Sequence, residues 1–144
     1  MKKIDINNPI ILKNKIALST NIFEGSTIYE YGVEVKFKCP ICQTNNNVII
    51  DDNTGNLLED LYIRKKLITK KEILKNNIAK ESPHIYRHLG ELMIFQNLSA
   101  LYLFSKCNNC EAKFMTSFSF GESQPSRNVC YISGVWLIDE INTV

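Results

Sequence analysis

Apolar and polar residues alternate without a break from Tyr29 to Cys39. Tyr29, Tyr31, Val33, Val35, Phe37 and Cys39 fall on one side of an extended chain, with Glu30, Gly32, Glu34, Lys36 and Lys38 on the other. A period of two is that of a half-buried strand, so this stretch is expected to be a strand that delivers Cys39 as its last inward-facing side chain. Val48-Ile49-Ile50 reads as the return strand of a hairpin, ended by the turn-forming run Asp51-Asp52-Asn53-Thr54-Gly55. From residue 57 the period changes. Leu57, Leu58, Leu61 and Tyr62 recur at helical spacing, and Thr69-Lys70-Lys71-Glu72 has the form of a capping box, flanked by Ile68 and Ile73 as a hydrophobic staple. The pattern predicts a helix over about 70–80. A shorter one should follow, with Ser82 as N-cap, Pro83 in the first helical position and Gly90 as its stop. Beyond it, Met93-Ile94-Phe95 and Leu101-Tyr102-Leu103-Phe104 predict strands, and Phe114, Thr116, Phe118 and Phe120 alternate along another. Residues 121–127 read as a polar loop. The stretch 129–138 is apolar on both faces apart from Ser133 and Gly134, which predicts a strand central in its sheet, with Trp136 in the core. At the start of the chain, Ile10-Ile11-Leu12 and Ile16-Ala17-Leu18 add a strand or two.

The predicted hairpin ends in Cys39-Pro40-Ile41-Cys42, and the same spacing recurs in Cys107-Asn108-Asn109-Cys110. A C-x2-C turn lets two thiolates face one point, and two such turns complete the tetrahedral shell of a structural zinc. One structural zinc held by Cys39, Cys42, Cys107 and Cys110 is therefore expected, the alternative being two unconnected reduced pairs. At these residues, over about 35–50 and 103–120, the chain resembles zinc-ribbon proteins, in which two knuckles at the tips of β-hairpins grip one metal. The resemblance implies that each pair is followed by a returning strand. Rubredoxin-type knuckles carry Gly soon after the second Cys, where this chain has Gln43 and Glu111, which turns the reading from iron and electron transfer toward zinc. The whole is expected to be an α+β fold, mainly antiparallel β sheet with zinc-ribbon-like knuckles that contribute four cysteines. A small helical insertion, about 57–90, lies between the knuckles of a single domain spanning 1–144.

Composition changes this picture little. A chain of 144 residues with 44% hydrophobic and 22% charged residues has enough apolar surface for one core. Asp5, Asn7, Asn8 and Pro9 interrupt what a signal peptide would need as an apolar run, and no stretch is apolar enough to span a bilayer. A cytoplasmic protein with no membrane partner is expected, its five cysteines being metal ligands or buried thiols rather than disulfides. Cys130 is the one left for the core. The abundance of Asn, Lys and Ile points to an AT-rich, bacterial genome. Four thiolates and one zinc would lower the formal net charge of +2 by two, to near zero. Lys36, Lys38, Lys106 and Lys113 flank the cysteines, either offsetting a doubly negative zinc-thiolate centre or simply solvated.

A closed four-thiolate shell has no position for a reacting water. Phosphate-loop and serine-hydrolase motifs are absent from the sequence, and no enzymatic activity is expected. Protein recognition, of the inhibitor, immunity or adaptor kind, is the first functional reading. The alternative is a nucleic-acid-binding zinc ribbon, using Arg64-Lys65-Lys66 and Lys70-Lys71 with Tyr102, Phe104 and Phe114 as stacking platforms. The near-neutral metallated charge counts against it. A minority alternative is a zinc-dependent hydrolase built on His84 and His88, which stand four residues apart and would share a helix face. Glu122 and Arg127 form an ion pair, a recognition site or, as first expectation, part of a solvated loop.

Overall fold

The chain is described by a computed structural model. It covers residues 1–141 apart from 19, 26, 52, 86–89, 97 and 126, and leaves out the side chains of 29, 30 and 123. Two long strands, β10 (Lys113–Gln124) and β11 (Arg127–Glu140), pair antiparallel along their whole length. Around them a seven-stranded antiparallel sheet is built. On one side β9 (Leu101–Lys106) pairs with β10, and its outer edge is shared by β1 (Lys2–Ile4) and β6 (Asn56–Leu57). On the other side β2 (Ile10–Ile16) and β3 (Ile22–Gly25) lie end to end along β11. β11 is thus flanked on both sides, as its two-sided apolar pattern predicts.

Both faces of this sheet are covered, and alternate residues enter two different cores. Tyr102, Phe104, Met115, Trp136 and Ile138 point into the first, under Leu58, Leu61, Leu67, Ile68, Ile73 and Ile78 of the insertion between the cysteine pairs. Leu103, Phe114, Phe118, Cys130 and Val135 point into the second. There they meet Val33, Val35, Phe37, Val48 and Ile50 from a separate hairpin of β4 (Val33–Lys38) and β5 (Asn45–Ile50). The polar pair Ser133-Gly134 marks the point where β11 changes parity. Ser117 pairs with Gly134 and Phe118 with Ile132, so Ser133 is an extra residue. Upstream of it the even-numbered Cys130 and Ile132 enter the second core, and downstream the odd-numbered Val135 and Leu137 do. Gly134 has a steric reason of its own. A Cβ there would come within 2.5 Å of the Trp136 ring, which lies against the glycine backbone.

Several elements differ from the sequence expectation. The strand expected from Tyr29 begins at Val33, because Ile28–Tyr31 form a short helix, α1, and leave Tyr31 exposed. Gly32, at φ +76°, makes the change of direction, and a Cβ on it would stand 2.7 Å from the Ile50 carbonyl oxygen. In the insertion, α2 (Asp60–Ile63) and α3 (Lys70–Lys75) are single short helices. The Thr69 hydroxyl accepts from the Glu72 N–H at 3.2 Å, as the capping box predicts, and Ile68 and Ile73 are both buried. The helix stops at Lys75 instead of about 80. Asn77 takes φ +55°, and the Ile78 N–H donates to the Ile73 carbonyl, the closing bond of a Schellman stop. Of the helix expected after Ser82, the described residues show 3-10 geometry at 84–85, and 86–89 lie outside them. Of the strand expected at Met93-Ile94-Phe95, only β8 (Leu92–Met93) forms, paired with β7 (Lys80–Glu81).

The polar loop expected over 121–127 is a strand hairpin. Pairing continues to Gln124↔Arg127, and Arg127 donates to Glu24 on β3 at 2.8 Å. Among the described residues no helix is long and apolar enough to cross a membrane.

Candidate metal centre

The centre forms where the β4–β5 hairpin meets the turn between β9 and β10. β4 ends at Lys38 and hands Cys39 to the first turn; β9 ends at Lys106 and hands Cys107 to the second. Both turns are closed by the same backbone bond. The Cys39 N–H donates to the Thr44 carbonyl, and the Cys107 N–H to the Ala112 carbonyl, each at 2.9 Å. The shared bond explains how two stretches so far apart in the chain present their sulfurs alike. They differ at the residue after the second Cys. Gln43 takes φ +65°, the left-handed conformation for which a knuckle ordinarily uses Gly, and its N–H donates to the Cys39 carbonyl; Glu111 does not take it.

The four ligand atoms, all Sγ, lie within 4.8 Å of one another. Across the two turns, Cys39 and Cys110 are 3.7 Å apart and Cys42 and Cys107 are 3.6 Å apart. Four sulfurs each about 2.3 Å from a central ion would stand about 3.8 Å apart on a tetrahedron, whereas a disulfide would need about 2.0 Å. The donor set therefore fits one metal ion, and the five cysteines are free thiols. Cys39 and Cys107 are buried, Cys42 and Cys110 half-buried. Cys130 differs from these four in character: burial in the second core pushes its thiol up to about 12, which makes it an inert packing residue.

The protein surroundings already favour thiolates at two positions. The Thr44 hydroxyl and N–H hold the Cys42 thiol down at about 6. Burial alone would raise Cys107, but the Asn109 N–H, the Asn46 side-chain amide and the Cys110 N–H outweigh it and lower it. At Cys110 the Ala112 N–H favours the thiolate, yet burial and the other sulfurs win and push it up to about 12. Crowded sulfurs cannot all ionise without a cation among them, and a bound divalent ion removes that restriction.

Of the flanking lysines, Lys106 is paired with Glu111 at 2.9 Å and Lys113 with Glu140. Lys36 and Lys38 project from the outer face of β4. His84 is exposed and stands apart from the cysteines; its intended companion, His88, lies outside the described residues. Among the described residues the four cysteines are the one cluster of three or more ligating side chains.

Thr44 is one residue of the centre that sequence reasoning missed, and Asn46 is another. Asn46 is 3% exposed and hydrogen-bonds the Cys107 sulfur. Its signal was there to be read, because Asn46 shares the inward parity of Val48 and Ile50 and is the polar member of that row.

Comparison with protein-family models, with curated proteins and with solved structures returned no match for this chain.

Proposed function

We propose that this is a non-catalytic recognition protein whose shape is held by one structural zinc ion on Cys39, Cys42, Cys107 and Cys110. The observation that carries the reading is the donor set: four sulfurs lie within 4.8 Å of one another, two of the pairs at 3.6 and 3.7 Å, and an ion bound by all four would have no position left for water or substrate. Zinc suits such a shell because it needs no redox role and has no geometric demand beyond the tetrahedron.

Protein is favoured over nucleic acid as partner by the positions of the aromatic side chains. Tyr102, Phe104 and Phe114 are buried in the two cores and cannot stack on bases. Within the basic segment Arg64 pairs with Asp60, Lys70 with Glu81 and Glu91, and Lys65 lies over the Tyr102 ring, while Lys66 and Lys71 are exposed. A protein partner would instead find apolar side chains standing in solvent at the first knuckle, Ile41, 64% exposed, and on the insertion, Ile63 and Ile85.

Purification of the tagged protein from its own cells, with and without nuclease, tests both parts. Elemental analysis should give one zinc per chain, and a stoichiometric protein should co-elute after nuclease and be lost when Ile41 or Ile63 is changed to Asp. An iron-loaded or metal-free product overturns the zinc assignment. Nucleic acid, or partners lost on nuclease treatment, overturns the recognition reading.

A further inference from the structure

A buried primary amide must place two N–H donors and an acceptor, since a polar group left unmet in a core is destabilising. Asn46 meets this demand inside the metal centre. Its Nδ2 donates to the Cys107 Sγ and to the Thr44 carbonyl, both at 3.3 Å, and its Oδ1 accepts the Asn108 N–H at 2.9 Å. Turning the amide over would set Nδ2 against that N–H, so the network fixes its orientation. The Cys107 and Asn108 bonds run from the return strand of the first knuckle to the turn of the second, 61 positions away at Cys107.

We propose that Asn46 is the positioning residue of the metal centre, tying the second knuckle to the first and holding the Cys107 thiolate in place for the ion. The assignment rests on the metal reading above. Fixing a ligand through its outer hydrogen bonds is worth about 10- to 100-fold in metal affinity at comparable sites. An N–H donor on a thiolate also withdraws charge from sulfur, and this leaves a spectroscopic mark that packing alone does not.

The test uses the cobalt-substituted protein. Asn46→Asp keeps an acceptor for the Asn108 N–H but removes the donor to sulfur, and Asn46→Leu removes both. Each variant should lose cobalt to a competing chelator about 10- to 100-fold more readily. In each, the sulfur-to-cobalt charge-transfer band should move to longer wavelength. Variants that keep the wild-type band and the wild-type competition curve overturn the assignment. Should neither variant fold, the wild-type protein loaded with a spin-active cadmium isotope decides. The Asn46 side-chain amide protons should couple to cadmium through Cys107. Their failure to do so, while the Asn109 and Ala112 amides at 3.5 Å from their sulfurs do couple, overturns the role. A wild-type protein that takes up neither cobalt nor cadmium overturns the metal reading itself, and with it this one.

Discussion

Gln43 holds a left-handed conformation, φ +65°, that costs an L-residue about 1–2 kcal/mol. Glycine there would escape most of that cost while giving back about 0.5–1 kcal/mol in unfolded-chain entropy. Its Nε2 contact with the Pro40 carbonyl, 3.3 Å and exposed, is a small loss. Gln43→Gly should therefore stabilise the metal-loaded protein by up to about 1 kcal/mol, read from the denaturant midpoint; a destabilised variant would contradict the strain. The ligands themselves make a second prediction at this scale. Metal binding requires thiolates, and in the metal-free fold Cys110 is held up at about 12 while Cys42 is held down at about 6. Near neutral pH the ion must displace the Cys110 proton but finds Cys42 mostly ionised. Apparent affinity should rise with pH throughout the neutral range and fall more steeply below about pH 6, where Cys42 too takes up a proton. Chelator competition in buffers from pH 5 to 8, with proton release followed by calorimetry, checks both slopes. The four cysteines were legible in the sequence because a C-x2-C spacing is a local statement about where two sulfurs can point. Asn46 was harder to find: its partners Cys107 and Asn108 lie on another hairpin, and strand parity marks only that it faces inward.

At the scale of elements, legibility follows how local the determining interactions are. The start of α3 was readable because its cap is closed by Thr69 and Glu72, three residues apart. Its early end was written in Asn76-Asn77, since an Asn at φ +55° closes the helix as Gly would. Thr69→Ala should cost about 1 kcal/mol, a fall of about 3 °C in melting temperature, whereas Asn77→Gly should leave stability unchanged or higher. Thermal unfolding of both variants separates a real cap from a fortuitous contact. The strand errors have a different origin. Residues 121–124 read as loop because their composition is polar, yet they extend β10 because β11 supplies a pairing edge on one side and β3 extends the sheet beyond it. Tyr29 and Tyr31 carried the strand period, but Gly32, pressed against the Ile50 carbonyl, allows the chain to enter β4 only from Val33. β11 shows the opposite case. Its Ser133-Gly134 pair, the polar exception in an apolar strand, is the bulge that exchanges its faces.

The molecule as a whole joins two unequal layers to one sheet. The insertion covers one face through a broad apolar cluster. The β4–β5 hairpin covers the other as a two-stranded sheet of its own, with no ladder to the main sheet among the described residues. A lone hairpin is marginal in water; this one packs through the inward row of Val33, Val35, Phe37, Val48 and Ile50 and ends at the cysteine cluster, where a bound ion would fasten it. Removing the ion should act there first. In hydrogen exchange with a strong chelator, the amides of β4 and β5 should lose protection while those of β10 and β11 keep theirs. Cys107→Ser, which breaks the cluster from the sheet side, should reproduce the same pattern without chelator. The covered face holds Phe114, Phe118 and Cys130, so its opening should also make the inert Cys130 thiol reactive toward an alkylating reagent. Simultaneous loss of protection in both layers would mean that the cluster holds the whole fold rather than its cover. Unchanged protection would mean that side-chain packing alone keeps the hairpin in place. Only the intermediate result fits a metal that fastens one layer to a sheet whose other core, around Met115, Trp136 and Ile138, closes without it.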